Sequence, residues 1–435
     1  MDMSGTILGE WGQRALPTMI ERELDLTSYA RLRPPKIIVL TGFRRTGKTY
    51  LTLLLARSLL RTMTREQVVY LNFEDERIPR RTQFLTGLLP AIRQYSTQDV
   101  EYLLLDEIQD MPDWSRWLRR VYDAGAVRLV VTGSSSKMSS REIPTELRGR
   151  FLQVNLFPLS FPEFLKFRGL AFELNQVESL PDEKARMLRA LCEYVRLGGL
   201  PEIVLAVESR KTELAHSYYQ TVVRRDIIER HRIRNEEGLK ALMRLLLDST
   251  HYTVSKLHNT LKSLHYDLGK ATLQRFIGAI ENTYFLFSLP AFYPSIKNQM
   301  QHPRKAYLID NIFISSLSSR FSRNQGRLYE NLVAIELLRR YAQNPEVDLH
   351  YWKNVQHEEV DFVVRQNTQV SQLIQVCADL SDPDTRKREF RALVKASREL
   401  KCTNLLVLTE DYEATERFKD RGIRCLPLWK WLLSS

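Results

Sequence analysis

The sequence predicts an α/β fold: a parallel sheet covered by helices at the N-terminal end, then a helical stretch, then further mixed parts. Three observations carry this. Short β-branched apolar runs alternate with helical patterns from KIIVLT at 36–41 to FLQVNLF at 151–157. A glycine-containing loop, GFRRTGKT, stands between the first run and the helical pattern YLTLLLARSLLR. From Phe161 to about 235 the apolar period turns helical, and strand-like runs return near the C-terminal end.

Length and composition set the frame. At 435 residues the chain exceeds what one hydrophobic core organises, so two to four domains are expected. With 43% hydrophobic and 27% charged residues, it has the profile of a folded chain rather than a disordered one. No apolar run reaches the roughly 18 residues that cross a bilayer. The start MDMSGTILGEWGQR lacks a signal-peptide core, which predicts a cytoplasmic protein with no membrane partner. Cys192, Cys377, Cys402 and Cys425 form no CxxC pair, so neither zinc nor a disulfide framework is expected. The net charge of +12 suits contact with nucleic acid and equally suits an ordinary basic protein.

KIIVLT reads as a buried strand, and Gly42, Phe43, Arg44, Arg45, Thr46, Gly47, Lys48 and Thr49 follow at once, leading through Tyr50 into a helix. Strand, loop and helix in this order build a phosphate cradle. Successive backbone N–H groups wrap an anion beneath the positive end of the helix, and the glycines permit that path. Lys48 has the reach to bridge β- and γ-phosphate oxygens, and the Thr49 hydroxyl is placed to ligate Mg²⁺. ATP and Mg²⁺ are therefore the expected ligands.

The second apolar run, EYLLLDEIQDM, ends at Asp106, where a carboxylate holds the water shell of Mg²⁺ beside Thr49. Glu107 sits where AAA+ and related ATPases keep the base that polarises attacking water. QVVYLNFED at 67–75 and VRLVVTGSSS supply further strands, and FLQVNLF completes a count of five. In this it resembles the AAA+ class, whose central sheet is parallel and five-stranded. Thr132 and Ser134 end the fourth strand; Ser134 fits the offset of a sensor group, and a plain loop with a helix N-cap is the alternative. Arg148 and Arg150, in LRGR, lie where an arginine finger would reach a neighbouring subunit's γ-phosphate. Arg150 is preferred over Arg148, with a surface salt bridge as the other reading.

GFRRTGKT, LLLDEIQD, VVTGSSS, LRGR, PLSFPEF and GGLPE together resemble the archaeal and bacterial ATPases that join an AAA+-type domain to a C-terminal domain of unknown function. The likeness spans nearly the whole chain, and the doubled Arg44–Arg45 is its most diagnostic feature. It implies a P-loop ATPase core over 1–160 and an α-helical lid over 161–235. The lid carries the basic cluster Arg224, Arg225, Arg230, His231, Arg232 and Arg234, either a solvated face or a phosphate contact.

Residues 236–320 read as a winged helix. Its last helix would present Lys270, Thr272, Gln274 and Arg275 to a DNA groove and turn Phe276, Ile277 and Ile280 inward; such modules also bind proteins. Residues 321–435 are similar in order and spacing to the PD-(D/E)XK nuclease fold, a C-terminal α/β restriction-endonuclease-like domain. Glu330 and Asp361 fit its helix acid and strand acid. Gln375, Val376 and Cys377 replace the acidic-x-Lys triplet, so the resemblance implies a domain inactive as a nuclease. LPLWKWLL, with Trp429 and Trp431, reads as a packed terminal element or a partner-binding stripe.

The functional expectation is Mg²⁺-dependent ATP binding and hydrolysis to ADP, coupled to movement of the lid and C-terminal modules within a homo-oligomer or protein complex. Catalytic roles fall to Lys48, Glu107, Ser134 and Arg150. The alternatives are a slow nucleotide-gated switch that holds DNA or a protein, and an ATP-dependent nuclease.

Overall fold

The structure, a computed structural model, describes residues 3–125, 127–133, 147–293, 295–318 and 325–434. The chain divides into two compact units, Met1–Leu156 and Phe157–Ser435.

The first unit is built on strands β1 (Ile37–Thr41), β2 (Val68–Asn72), β3 (Tyr102–Asp106), β4 (Arg128–Thr132) and β5 (Phe151–Asn155), in the spatial order β2-β3-β4-β1-β5. Every pairing is parallel. This is the five-stranded sheet that the sequence predicts. Both faces are covered, which is why the strands are continuous apolar runs rather than alternating ones. Ile37, Val39, Leu103 and Leu105 pack with Phe84, Leu88, Trp117 and Leu118 on one face. Ile38, Leu40, Tyr70 and Leu104 meet Leu51, Leu55 and Leu59 on the other. Leu103, Leu104 and Leu105 are all 0% exposed, and each such leucine contributes roughly 1.5–3 kcal/mol of burial. Parallel registration brings the ends of β1, β2, β3 and β4 together: Asn72 pairs with Asp106, Leu105 with Val131, and Leu40 with Thr132. The loops that leave these ends form the site.

The second unit opens with helices Phe161–Phe167, Leu174–Ser179, Pro181–Leu197, Pro201–Leu205 and Glu208–Thr221, the last continuing as a π-helical turn over Val222–Glu229. PLSFPEF begins the first of these with a capping box: Ser160 accepts from the Glu163 amide and Glu163 from the Ser160 amide. GGLPE has a packing reason. The Gly199 amide donates to Asp310 at 2.7 Å, and a side chain at Gly198, where φ is 70°, would overlap that carboxylate.

Helix Glu236–Asp248, β6 (His251–Tyr252), helix Val254–Ser263, helix Lys270–Asn282, β7 (Leu286–Leu289) and β8 (Arg304–Leu308) follow in chain order. Their sheet runs β6-β8-β7 and is antiparallel. Helix Gln325–Tyr341 precedes a six-stranded sheet of β9 (Val347–Lys353), β10 (Glu359–Gln366), β11 (Gln369–Val376), β12 (Leu405–Thr409), β13 (Ala414–Phe418) and β14 (Arg421–Pro427), in the order β13-β14-β12-β11-β10-β9. The β13–β14 hairpin is an addition to what the sequence suggests. LPLWKWLL becomes helix Leu428–Leu433 with Trp429 and Trp431 buried, a packed element and not an open stripe. Among the described residues no helix is long and apolar enough to cross a membrane.

Candidate active site

β1 delivers the chain into Gly42–Thr49 with its end anchored twice to the end of β5. The Leu156 amide donates to the Thr41 carbonyl at 2.8 Å, and the Thr41 hydroxyl donates to Asn155 at 2.5 Å. Positive φ values at Gly42 (146°), Arg45 (65°) and Gly47 (96°) curl the loop before helix Lys48–Leu59 begins. Thr46 Oγ1 donates to the Phe43 carbonyl at 2.8 Å and locks the curl. The buried Lys48 ammonium lies over the loop, 3.2 Å from the Gly42 carbonyl and 3.1 Å from that of Phe43. Phe43 packs in the core, while the Arg45 and Tyr50 side chains face solvent.

Asp106 is 1% exposed and gathers three hydroxyls. Thr49 Oγ1 donates to its Oδ2 at 2.7 Å, Tyr70 OH donates to the same oxygen at 2.9 Å, and Thr132 Oγ1 donates to Oδ1. Burial pushes the Asp106 carboxyl up from its ordinary range, and the Thr132 and Thr49 hydroxyls oppose that rise by favouring the anion. Glu107 follows with a left-handed backbone, φ 55° and ψ 41°, a conformation uncommon for a non-glycine residue. Its amide donates to Thr132 Oγ1 at 3.0 Å and its Oε2 accepts from Gln109 Nε2 at 2.5 Å. Thr132 thus bridges the strand-end acid and the next residue's backbone.

Ser134 lies outside the described residues. Arg150 pairs with Asp123, Nε to Oδ1 at 2.8 Å and Nη2 to Oδ2 at 3.4 Å, and Arg148 is exposed. Two neighbours of the loop had no motif to announce them. Arg22 donates to the Thr46 carbonyl at 2.9 Å from a segment ahead of β1. Tyr70 was legible only as a polar-tipped aromatic inside the apolar run VVYLN.

In the second unit the expected Glu330 and Asp361 do converge, but around an ammonium: Lys305 Nζ is 2.8 Å from Glu330 Oε1 and 2.8 Å from Asp361 Oδ1. Gln375 Oε1 accepts from the Asp361 amide at 3.3 Å while its Nε2 donates to Glu389 at 2.7 Å. Among the described residues no group of three or more His, Cys, Asp and Glu side chains is arranged to hold a metal ion.

The chain is 35% identical over 427 residues to the uncharacterized protein MJ1544 of Methanocaldococcus jannaschii, covering 96% of this chain and 91% of that protein. It belongs to that protein's family. Within this family member, residues 34–165 match the model described as an AAA domain. Residues 188–324 and 325–431 match two domains of unknown function, DUF8612 and DUF4143. The AAA match takes in the loop, Asp106, Glu107 and Thr132, so the first unit carries an AAA-type ATPase domain.

An uncharacterized protein of Haemophilus influenzae is 27% identical over 423 residues, covering 95% of this chain and 99% of its own. Among solved structures, the Walker-type ATPase PABY2304 of Pyrococcus abyssi is 13% identical with a TM-score of 0.46, covering 70% of this chain and 99% of that one. The Aeropyrum pernix ORC1 protein in complex with DNA is 14% identical with a TM-score of 0.30, covering 77% and 94%.

Proposed function

We propose that this family member is a Mg²⁺-dependent ATPase whose nucleotide site is Gly42–Thr49 with Asp106 and Glu107. The observation that carries the reading is the 2.7 Å bond between Thr49 Oγ1 and Asp106 Oδ2, with the Lys48 ammonium seated over the same loop. Hydroxyl and carboxylate are the hard oxygen donors that Mg²⁺ takes in P-loop sites, and the curled loop offers backbone N–H groups to phosphate, so the residues present fit both ligands. Bound Mg²⁺ would neutralise charge on the β- and γ-phosphate oxygens.

The chain's own residues supply the rest. Lys48 draws charge from the phosphate oxygens. Glu107, oriented by its own constrained backbone and by Gln109, accepts a proton from water as the water oxygen bonds to the γ-phosphorus. The bond from that phosphorus to the bridging oxygen breaks, and ADP and phosphate leave. Thr132, tied to both Asp106 and Glu107, is the group through which β4 senses the reaction centre, beside Ser134. Arg150 is the arginine finger in a homo-oligomer, once it exchanges Asp123 for a neighbouring subunit's nucleotide.

The experiment is phosphate release from Mg²⁺-ATP by the full chain, beside Glu107→Gln. Retained nucleotide binding with turnover lost in the variant is the expected result; equal turnover in both proteins would remove Glu107 as the base.

A second reading concerns what the engine moves. Three helices with a β6-β8-β7 sheet follow the order of a winged helix. Helix Lys270–Asn282 exposes Lys270, Gln274 and Arg275 while burying Leu273, Phe276, Ile277 and Ile280. That division favours a DNA-contacting module over residues 236–320, with 161–235 as the lid and 321–435 as a nuclease-like module that does not cut. Binding of duplex DNA with a steep salt slope that changes between ADP and ATP supports it; no binding at low salt ends it.

A further inference from the structure

The acidic site of the second unit holds a cation of its own. Lys305, on β8, places its ammonium between Glu330 of helix Gln325–Tyr341 and Glu359 and Asp361 of β10. Its Nζ stands 2.8 Å from Glu330 Oε1, 2.8 Å from Glu359 Oε1 and 2.8 Å from Asp361 Oδ1. The lysine side chain is 1% exposed, against 21%, 20% and 11% for the three acids. Two of the three ammonium donors bond Glu330 and Asp361, and Glu359 completes the ring of carboxylates as an ion pair.

The surroundings fix the carboxylates for this partner. Tyr307 OH donates to Glu330 Oε1 at 2.6 Å, and the Val376 amide donates to Asp361 Oδ2 at 2.9 Å. Lys353 Nζ stands 2.9 Å from Glu359 Oε2, and His251 Nε2 is 3.2 Å from Glu359 Oε1. Burial works against a charge at Lys305, yet Asp361 and Glu330 hold its ammonium well above the ordinary lysine range.

We propose that Lys305 is the built-in cation of this site: its ammonium stands between the helix acid Glu330 and the strand acid Asp361, where a nuclease-like fold holds a divalent ion, and closes the site to metal. This rests on the nuclease-like reading of residues 321–435 and is independent of the ATPase reading. A divalent ion needs oxygens at about 2.0–2.6 Å, and an ion that close to Glu330 and Asp361 would collide with Nζ. Two cations at such a separation repel strongly in a site with little water. The tethered ammonium has the advantage of an intramolecular partner, against which a free ion must compete from solution. The missing acidic-x-Lys triplet is then no simple loss. Its lysine charge is supplied from a different strand, at a place that excludes the metal, and the site becomes an ion-paired joint between β8 and β10.

The test is a Mn²⁺ titration of the nucleotide-free full chain followed by electron paramagnetic resonance, with wild type, Glu330→Gln and Lys305→Met compared and folding checked by circular dichroism. Coincident wild-type and Glu330→Gln curves, with one additional Mn²⁺ taken up by Lys305→Met, are expected. An ion bound by wild type and lost in Glu330→Gln overturns the proposal, and so does a folded Lys305→Met that gains none. If Lys305→Met does not fold, the comparison of wild type with Glu330→Gln decides alone. Phosphate release from ATP does not enter the measurement, so its outcome leaves the nucleotide site untouched.

Discussion

Tyr70 and Asp106 stand on adjacent parallel strands and share a 2.9 Å hydrogen bond from the phenol to the carboxylate. Trp11 packs on the Tyr70 ring with centroids 5.5 Å apart, so the phenol has little freedom to turn away. Burial, reinforced by the Asp106 charge, pushes the Tyr70 hydroxyl far up, and it remains a donor at every usable pH. Tyr70→Phe removes one of the donors that orient the carboxylate and leaves the ring packing in place. A hydrogen bond to a charged group is worth roughly 1.5 kcal/mol at the low end, or about tenfold in an equilibrium. The Mg²⁺ concentration for half-maximal ATP turnover should rise by about that factor, with folding unchanged. Superimposable Mg²⁺ curves would make Tyr70 a packing residue only.

Gly42 combines a φ of 146° with a direction in which a Cβ would overlap the Leu156 carbonyl. That carbonyl belongs to a residue pinned to β1 through its own amide, at 2.8 Å from the Thr41 oxygen, so it does not move aside cheaply. Gly42→Ala should cost more than about 2 kcal/mol and abolish nucleotide binding. Gly125, with φ 70° and open space around its Cβ, isolates the strain from the overlap. Gly125→Ala should cost about 1–2 kcal/mol and leave binding intact. Thermal melts with and without Mg²⁺-ATP separate the two variants.

The nucleotide loop was legible in the sequence because everything that builds it is local. One strand, eight residues from Gly42 to Thr49, and one helix fix the path, and parallel pairing then brings Asp106 and Thr132 alongside. Tyr70 and Arg22 escaped because their partners lie on other strands and loops. Lys305 escaped more completely: it meets Asp361 across 56 positions of sequence, from a strand that reads only as part of a different module. Asp310 and Gly199, 111 positions apart, escaped in the same way. The sequence pattern located Glu330 and Asp361 as a pair, since order and spacing survive in it, but said nothing of the charge between them.

The four cysteines separate by environment. Cys192 is exposed, while Cys402 and Cys425 are buried. Burial, with the Glu389 charge adding to it, pushes the Cys377 thiol up to about 11. The Cys425 thiol is pushed up to about 12 by burial and by Glu416. Since the thiolate is the nucleophile, iodoacetamide at pH 8 should modify Cys192 within minutes and the other three orders of magnitude more slowly in the native chain. Peptide mass mapping checks the order. Early labelling of Cys377 would mean that β11 opens where the nuclease triplet would have carried its lysine.

Asp310 gives the chain a pH dependence of a definite sign. Its carboxylate accepts from the Gly199 amide at 2.7 Å and the Ile312 amide at 3.0 Å, yet it is 3% exposed, and burial pushes it up to about 7. The unfolded chain releases this proton near pH 3.9, so between roughly pH 4 and 7 the folded state binds the extra proton. Stability from this group is therefore complete below about pH 4 and lost as pH rises through 7. Its full extent is of order 4 kcal/mol, from about three units at about 1.4 kcal/mol each. Asp310→Asn cannot titrate; its single oxygen serves one of the two amides and its NH₂ faces the other, a cost that does not change with pH and so cancels when the two melting curves are compared across pH. The melting temperature of wild type relative to the variant should fall by several degrees between pH 5 and pH 8, and a gap constant across that range would mean that the amide donors keep Asp310 ionised throughout.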